Sequence, residues 1–151
     1  MEQLDRYIKT VQAIVPIHAT TGHATTATEV DATGFDRAQF VIYIGAMDAT
    51  CVVEMDVQQA TATGGTFADV TSGSLTNVTS AGATKLYMID VPVSGSAPYL
   101  KLAGTSGTAR CLIAAWCNLY NGSSLYPKNS QFQQRVFVQQ ECRGECKSSP
   151  Q

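Results

Sequence analysis

Within residues 50–58 the apolar Cys51, Val53, Met55 and Val57 fall on one parity, and the polar Glu54, Asp56 and Gln58 on the other. A period of two puts every second side chain on one face of a strand, so this stretch predicts a strand with one buried and one wet face. No helix satisfies that spacing. The other apolar stretches follow suit. Residues 38–45 (Ala38 to Gly45) are rich in β-branched and aromatic residues. Residues 84–91 and 97–103 predict two more strands, separated by the turn from Pro92 to Ser96.

Residues 108–117 differ in kind. Leu112, Ala114 and Trp116 fall on one face and Cys111, Ile113 and Cys117 on the other, so both faces are apolar. Such a strand belongs at the centre of a sheet or under cover on both sides. The preceding Gly104 to Gly107 predicts a hairpin-like connection. Residues 60–83, rich in Thr, Ser, Gly and Ala, read as loop or weakly paired strand, anchored by Phe67 and Val70.

No apolar stripe of helical period runs through residues 30–117. Near the start Leu4, Ile8 and Val11 could share a helix face, but residues 10–18 favour an extended chain, with Pro16 interrupting regular pairing. Turn-separated strands at this spacing predict an all-β protein, a β-sandwich or partly open barrel with extended N- and C-terminal arms. The expected division is an N-terminal arm or first strand over 1–17, the sandwich over 18–117 and a C-terminal extension over 118–151.

The extension contains one more strand-like piece, Gln131 to Gln140, with Phe132, Val136, Phe137 and Val138 set among glutamines and Arg135. An apolar, uncharged strand left bare is an aggregation hazard. Pairing with another subunit resolves it. Membership of its own sheet is the alternative.

Charge limits the partners. Asp, Glu, Lys and Arg make up 15% of the 151 residues, against roughly 25% in average domains. A surface so poor in charge suits a chain largely covered by other proteins. The net charge of −2 offers no basic field for a phosphate backbone, so no nucleic-acid partner is expected. No run approaches the roughly 20 apolar residues of a spanning helix, and residues 1–15 lack the apolar core of a secretory signal. The expectation is therefore no membrane and synthesis in a cytosol-like compartment.

Chemistry is sparse. His18 and His23 share no helix face, and no zinc-protease, nucleophile-elbow or phosphate-loop motif occurs. Glu29, Asp31, Asp36, Glu54 and Asp56 are the acids that could work in pairs, yet acids on a strand face are mostly solvated. The odd count of five cysteines argues against a full disulfide framework. Cys51, Cys111 and Cys117 read as buried free thiols. Cys142 and Cys146 could form a local disulfide or join a metal site. A zinc site needs two more ligands, which the neighbouring sequence does not supply, so inert thiols are expected. No enzymatic activity, catalytic residue, cofactor or metal is predicted.

The aromatic residues are more informative, because Tyr and Trp give large contact areas at small entropic cost. With the apolar residues near the start they give the candidate subunit-interface set: Tyr7, Ile8, Val11, Trp116, Tyr120, Tyr126, Phe132 and Phe137.

The phrase from Asp31 to Gly45 couples an acidic–glycine–aromatic turn to a strand closed by glycine. A second strand follows, then Gly65-Thr66-Phe67-Ala68-Asp69, and later Tyr99-Leu100-Lys101-Leu102. This succession, over residues 10 to 117, resembles small virion proteins of tailed bacteriophages, in particular capsid decoration (cement) proteins. The extension from Asn118 is outside the resemblance. The resemblance implies a β-sandwich, a homotrimer and a place on the outer capsid surface of the virion, made in the host cytoplasm. The implied partners are the major capsid protein, whose neighbouring subunits it would clamp, and further copies of itself. A head–tail connector or tail component, and a glycan- or receptor-binding β module using residues 60–83, are the alternatives.

Overall fold

The computed structural model describes residues 8–19, 27–107 and 109–121. These residues form eight strands: β1 (Ile8–Ala19), β2 (Val30–Asp31), β3 (Arg37–Met47), β4 (Val53–Ala60), β5 (Ala68–Val78), β6 (Lys85–Pro92), β7 (Tyr99–Ser106) and β8 (Cys111–Tyr120). A single turn of 3-10 helix at Ser80–Gly82 precedes β6.

The strands pair antiparallel, first with last, second with seventh, third with sixth and fourth with fifth. The chain is thus one long hairpin. Two further pairings, β3 with β8 and β4 with β7, roll it into two four-stranded sheets. Sheet A has the order β1-β8-β3-β6 and sheet B the order β2-β7-β4-β5. A rolled double hairpin with this order is a jelly roll, an all-β sandwich.

The core lies between the sheets. Phe40, Ile42 and Ile44 of β3 and Ile113 and Leu119 of β8 face Val53, Met55 and Val57 of β4 and Leu100 and Leu102 of β7. Each side chain is essentially removed from water, which contributes roughly 1.5–3 kcal/mol apiece. The alternation of residues 51–57 appears directly, with Cys51, Val53, Met55 and Val57 buried and Glu54 exposed.

One expectation needs correction. Gly104 to Gly107 is not a hairpin. β7 ends in sheet B at Ser106 and β8 starts in sheet A at Cys111, so this connection crosses the sandwich. Its glycines and short polar residues suit a crossing as well as a turn, and only the two-faced β8, which belongs between β1 and β3, decides the outcome. Residues 60–83, expected as loop or weakly paired strand, hold both: residues 61–67 connect the strands, and Ala68–Val78 form the irregularly paired β5. β5 escapes a reading by alternation because it is a mostly exposed edge strand with two register shifts and positive φ at Ser72 and Asn77. Residues 8–17, expected in an arm or first strand, lie in β1, and Pro16 falls inside its second register shift.

Candidate functional site

Residues opposite each other in adjacent antiparallel strands share a face, so the register of sheet A maps its outer surface. Ile8, Tyr120, Arg37 and Pro92 form a row across all four strands. The next row is Thr10, Asn118, Gln39 and Asp90. These rows are hydrogen-bonded. Arg37 Nη2 lies 3.0 Å from Asp90 Oδ2, Arg37 Nε donates to the Tyr120 hydroxyl at 3.1 Å, and that hydroxyl donates to Asp90 at 2.7 Å. Thr10 Oγ1 donates to Asn118 Oδ1 at 2.9 Å. Hydrogen bonding to Asp90 first, and to Tyr120 second, holds the Arg37 guanidinium above its ordinary pKa.

Farther along, the face turns apolar. Gln12, Trp116, Val41 and Met88 form the third row, and Ala114, Tyr43 and Leu86 the fourth. Leu112 follows on β8. Met88 is 68% exposed, Leu86 61%, Leu112 43% and Tyr43 39%. Trp116 and Ala114 are half-buried. Gly45 keeps this end flat. A Cβ there would stand 2.9 Å from the Leu112 Cβ, so glycine lets Leu112 lie across β3. Singly exposed apolar residues are ordinary, whereas a contiguous apolar sheet face marks an interaction site.

Sheet B presents a different face. Glu54, Asp56, Gln58, Lys101 and Thr105, with Ala27 and Ala103, line a shallow, open depression of about 450 Å³. The Lys101 ammonium sits 4.3 Å above the Phe67 ring. Other acids serve the backbone: Glu29 Oε2 accepts from the Gly64 N–H and Asp31 Oδ1 from the Thr33 N–H, both at 2.9 Å. Among the described residues no group of three or more His, Cys, Asp or Glu could hold a metal.

The cysteines lie in the core. Cys51, Cys111 and Cys117 are buried free thiols. Burial, and then a hydrogen bond with Cys51, push the Cys111 thiol up to about 12. Burial alone pushes Cys117 up to about 12. Thiols held this high carry no thiolate at neutral pH and are poor nucleophiles.

Of the candidate interface residues, Trp116 lies in the apolar rows of the outer face, and Ile8 and Tyr120 in its polar first row. Val11 stands opposite Cys117 and packs against the core. Tyr7, Tyr126, Phe132 and Phe137 lie outside the described residues, as do His23, Cys142, Cys146 and the strand expected over 131–140. Sequence reasoning missed Tyr43, Leu86, Met88 and Leu112. The signal was present in residues 86–91, where Leu86 and Met88 alternate with Tyr87, Ile89 and Val91, so that both faces are apolar as in β8.

Fold and surface together define a jelly-roll module with one sheet face that is apolar at one end and another that is polar. No protein-family model and no curated protein sequence matches the chain. Among solved structures it is similar to that of infectious bursal disease virus, Gx strain, with 12% identity and a TM-score of 0.46 over 80% of this chain and 33% of that one. It is also similar to the CBM22-1–GH10 modules of Clostridium thermocellum endo-1,4-β-D-xylanase 10B complexed with xylohexaose. There the identity is 9% and the TM-score 0.44, over 82% of this chain and 28% of that one. The chain spans a third or less of either neighbour's length. Likeness at this level does not bear on function, and the jelly-roll assignment rests on the strand order alone.

Proposed function

We propose that this protein is a non-enzymatic structural component of a virus particle that works by binding other protein subunits through the outer face of sheet A. The observation that carries the proposal is the apolar end of that face, where Leu86 and Met88 are more than half exposed beside Tyr43, Trp116 and Leu112. A sheet face of this composition in water gains free energy when a partner covers it, through the area removed from solvent. The polar rows around Arg37 and Asp90 then act as a rim that fixes orientation more than affinity. The low charge of the chain agrees with a surface that spends its time covered.

Within that class, the resemblance of the segments around Asp31–Gly45, Gly65–Asp69 and Tyr99–Leu102 favours a capsid decoration protein. The jelly roll would be the rigid body, seated as a trimer on the outer capsid and clamping neighbouring major capsid subunits. Many weak contacts would act together through multivalency. Quantitative mass spectrometry of particles that carry the chain tests this reading. A decoration protein is present in hundreds of copies, whereas a connector or tail component numbers on the order of a dozen. A copy number in that lower range overturns the decoration reading.

A further inference from the structure

Two cysteines meet where the chain changes sheets. β3 in sheet A passes to β4 in sheet B through residues 48–52, and β7 in sheet B passes to β8 in sheet A through the connection after Ser106. The two crossings run side by side. Gly107 N–H donates to the Val52 carbonyl at 2.7 Å, and Asp48 N–H to the Arg110 carbonyl at 3.0 Å. Arg110 N–H donates to Asp48 Oδ2 at 3.2 Å, and Met47 stands opposite Cys111 in the ladder. Cys51 N–H donates to the Asp48 carbonyl at 3.0 Å. That bond closes a turn, which brings Cys51 back beside the contact of Asp48 with Arg110. Cys51 therefore lies in one crossing, and Cys111 is the first residue of β8 after the other.

Both side chains turn into the core, with Cys51 1% and Cys111 0% exposed, and their thiols are hydrogen-bonded to each other. Burial accounts for each cysteine singly, as a small apolar residue. It does not account for two sulfurs meeting from positions 51 and 111 of the sequence. Sulfurs in contact across two segments need only a small approach to reach a disulfide bond of about 2 Å. Cys117 does not compete. It is six residues along β8 from Cys111, a distance of about 20 Å in a strand.

We infer that Cys51 and Cys111 are the site of a disulfide that forms when the chain meets an oxidising medium and staples the two crossings together. The structure holds the reduced state, with both thiols free. The oxidant is a low-molecular-weight disulfide such as glutathione disulfide. A thiolate of one cysteine attacks a sulfur of the oxidant and one glutathione leaves as the thiol. The second cysteine then displaces the other glutathione as the bond between Cys51 and Cys111 forms. The two cysteines give up two electrons and two protons, and one glutathione disulfide becomes two glutathione thiols. Buried thiols offer no thiolate, so the exchange proceeds in transient openings or during folding.

The staple closes a loop of about 60 residues, which removes freedom mainly from the unfolded chain. It lies at the opposite end of sheet A from the network of Arg37, Asp90 and Tyr120, and next to Leu112 of the apolar rows. The inference does not depend on the virion reading.

The test uses the full-length chain with Cys117→Ala, Cys142→Ser and Cys146→Ser, so that Cys51 and Cys111 alone remain. The reduced, unfolded variant is diluted into mixtures of reduced and oxidised glutathione, with and without concentrated urea. After acid trapping, mass spectrometry gives the oxidised fraction. The fold should raise the equilibrium constant of the disulfide about a hundredfold over its value in urea. A ratio of one or less shows that the folded geometry rejects the bond, and overturns the inference. By linkage, the urea midpoint of the oxidised form should lie about 1 M above that of the reduced form. An equal or lower midpoint overturns it as well. The parent chain, refolded in the same mixtures and mapped by non-reducing peptide mass spectrometry, decides the matter if the variant does not fold. A linked pair of peptides holding Cys51 and Cys111 is expected as the main product. A folded parent in which both remain thiols, or are joined to other cysteines, overturns the inference.

Discussion

Arg37 and Tyr120 face each other across β3 and β8, and the Arg37 Nε–H donates to the Tyr120 hydroxyl at 3.1 Å while both groups hold Asp90. The three side chains come from three strands adjacent in space and distant in sequence, so they fix the register of one end of sheet A. Because they share one network, their losses should not add. Tyr120→Phe and Arg37→Gln should each lower the thermal midpoint slightly, and the double variant should lower it by less than the sum. Thermal unfolding of the two single variants and the double variant measures this. Strict additivity would show that the network carries no coupling.

Phe40 is fully buried at the middle of β3, between β6 and β8. Phe40→Ala leaves a cavity at the strand that holds sheet A together and should cost about 3–5 kcal/mol. Urea unfolding followed by far-UV circular dichroism checks it. A loss below about 1 kcal/mol would place Phe40 outside a well-packed core.

The thiol predictions concern reactivity. In a Cys142→Ser, Cys146→Ser variant the remaining cysteines, Cys51, Cys111 and Cys117, are all buried. At neutral pH they should react with a thiol reagent on the order of a hundredfold more slowly in the folded protein than in denaturant. Rapid native labelling would contradict their placement between the sheets.

The same burial sets an alkaline limit. Cys111 and Cys117 hold their protons up to about 12 when folded, against an ordinary value of 9.0. Above the unfolded value the unfolded chain binds fewer protons than the folded one, so stability falls as pH rises. The contribution of these thiols is intact below about pH 9 and is lost between there and about pH 12. Denaturant midpoints of the parent and of Cys117→Ala across that range should converge as pH rises. A constant gap would remove the thiol from the explanation.

How far the sequence carried the fold depended on how local each signal was. The faces of β4 and β8 could be read from alternation alone, because Val53, Met55 and Val57, or Cys111, Ile113 and Cys117, recur at the pleat period. β5 could not, because an exposed edge strand of Thr, Ser and Gly has no apolar face to show. The order of strands in the sheets was hidden for another reason. Arg37 meets both Pro92 and Tyr120, and nothing around Arg37 names those partners. The apolar outer face was half visible. Trp116 stood out as an aromatic residue, but Leu86 and Met88 look like ordinary core until β6 is known to be an edge strand.

The solution mass of the full-length protein, by light scattering coupled to size exclusion, tests the claim that the outer face of sheet A binds subunits. It is best compared with that of Leu86→Lys/Met88→Lys. Both side chains are exposed, so the double variant should fold with stability within about 0.5 kcal/mol of the parent. The account predicts a parent mass near 48 kDa, about three copies of a 16.1 kDa chain, falling to the mass of one chain in the variant. A parent that is monomeric, or a multimer that the two lysines leave intact, would contradict it.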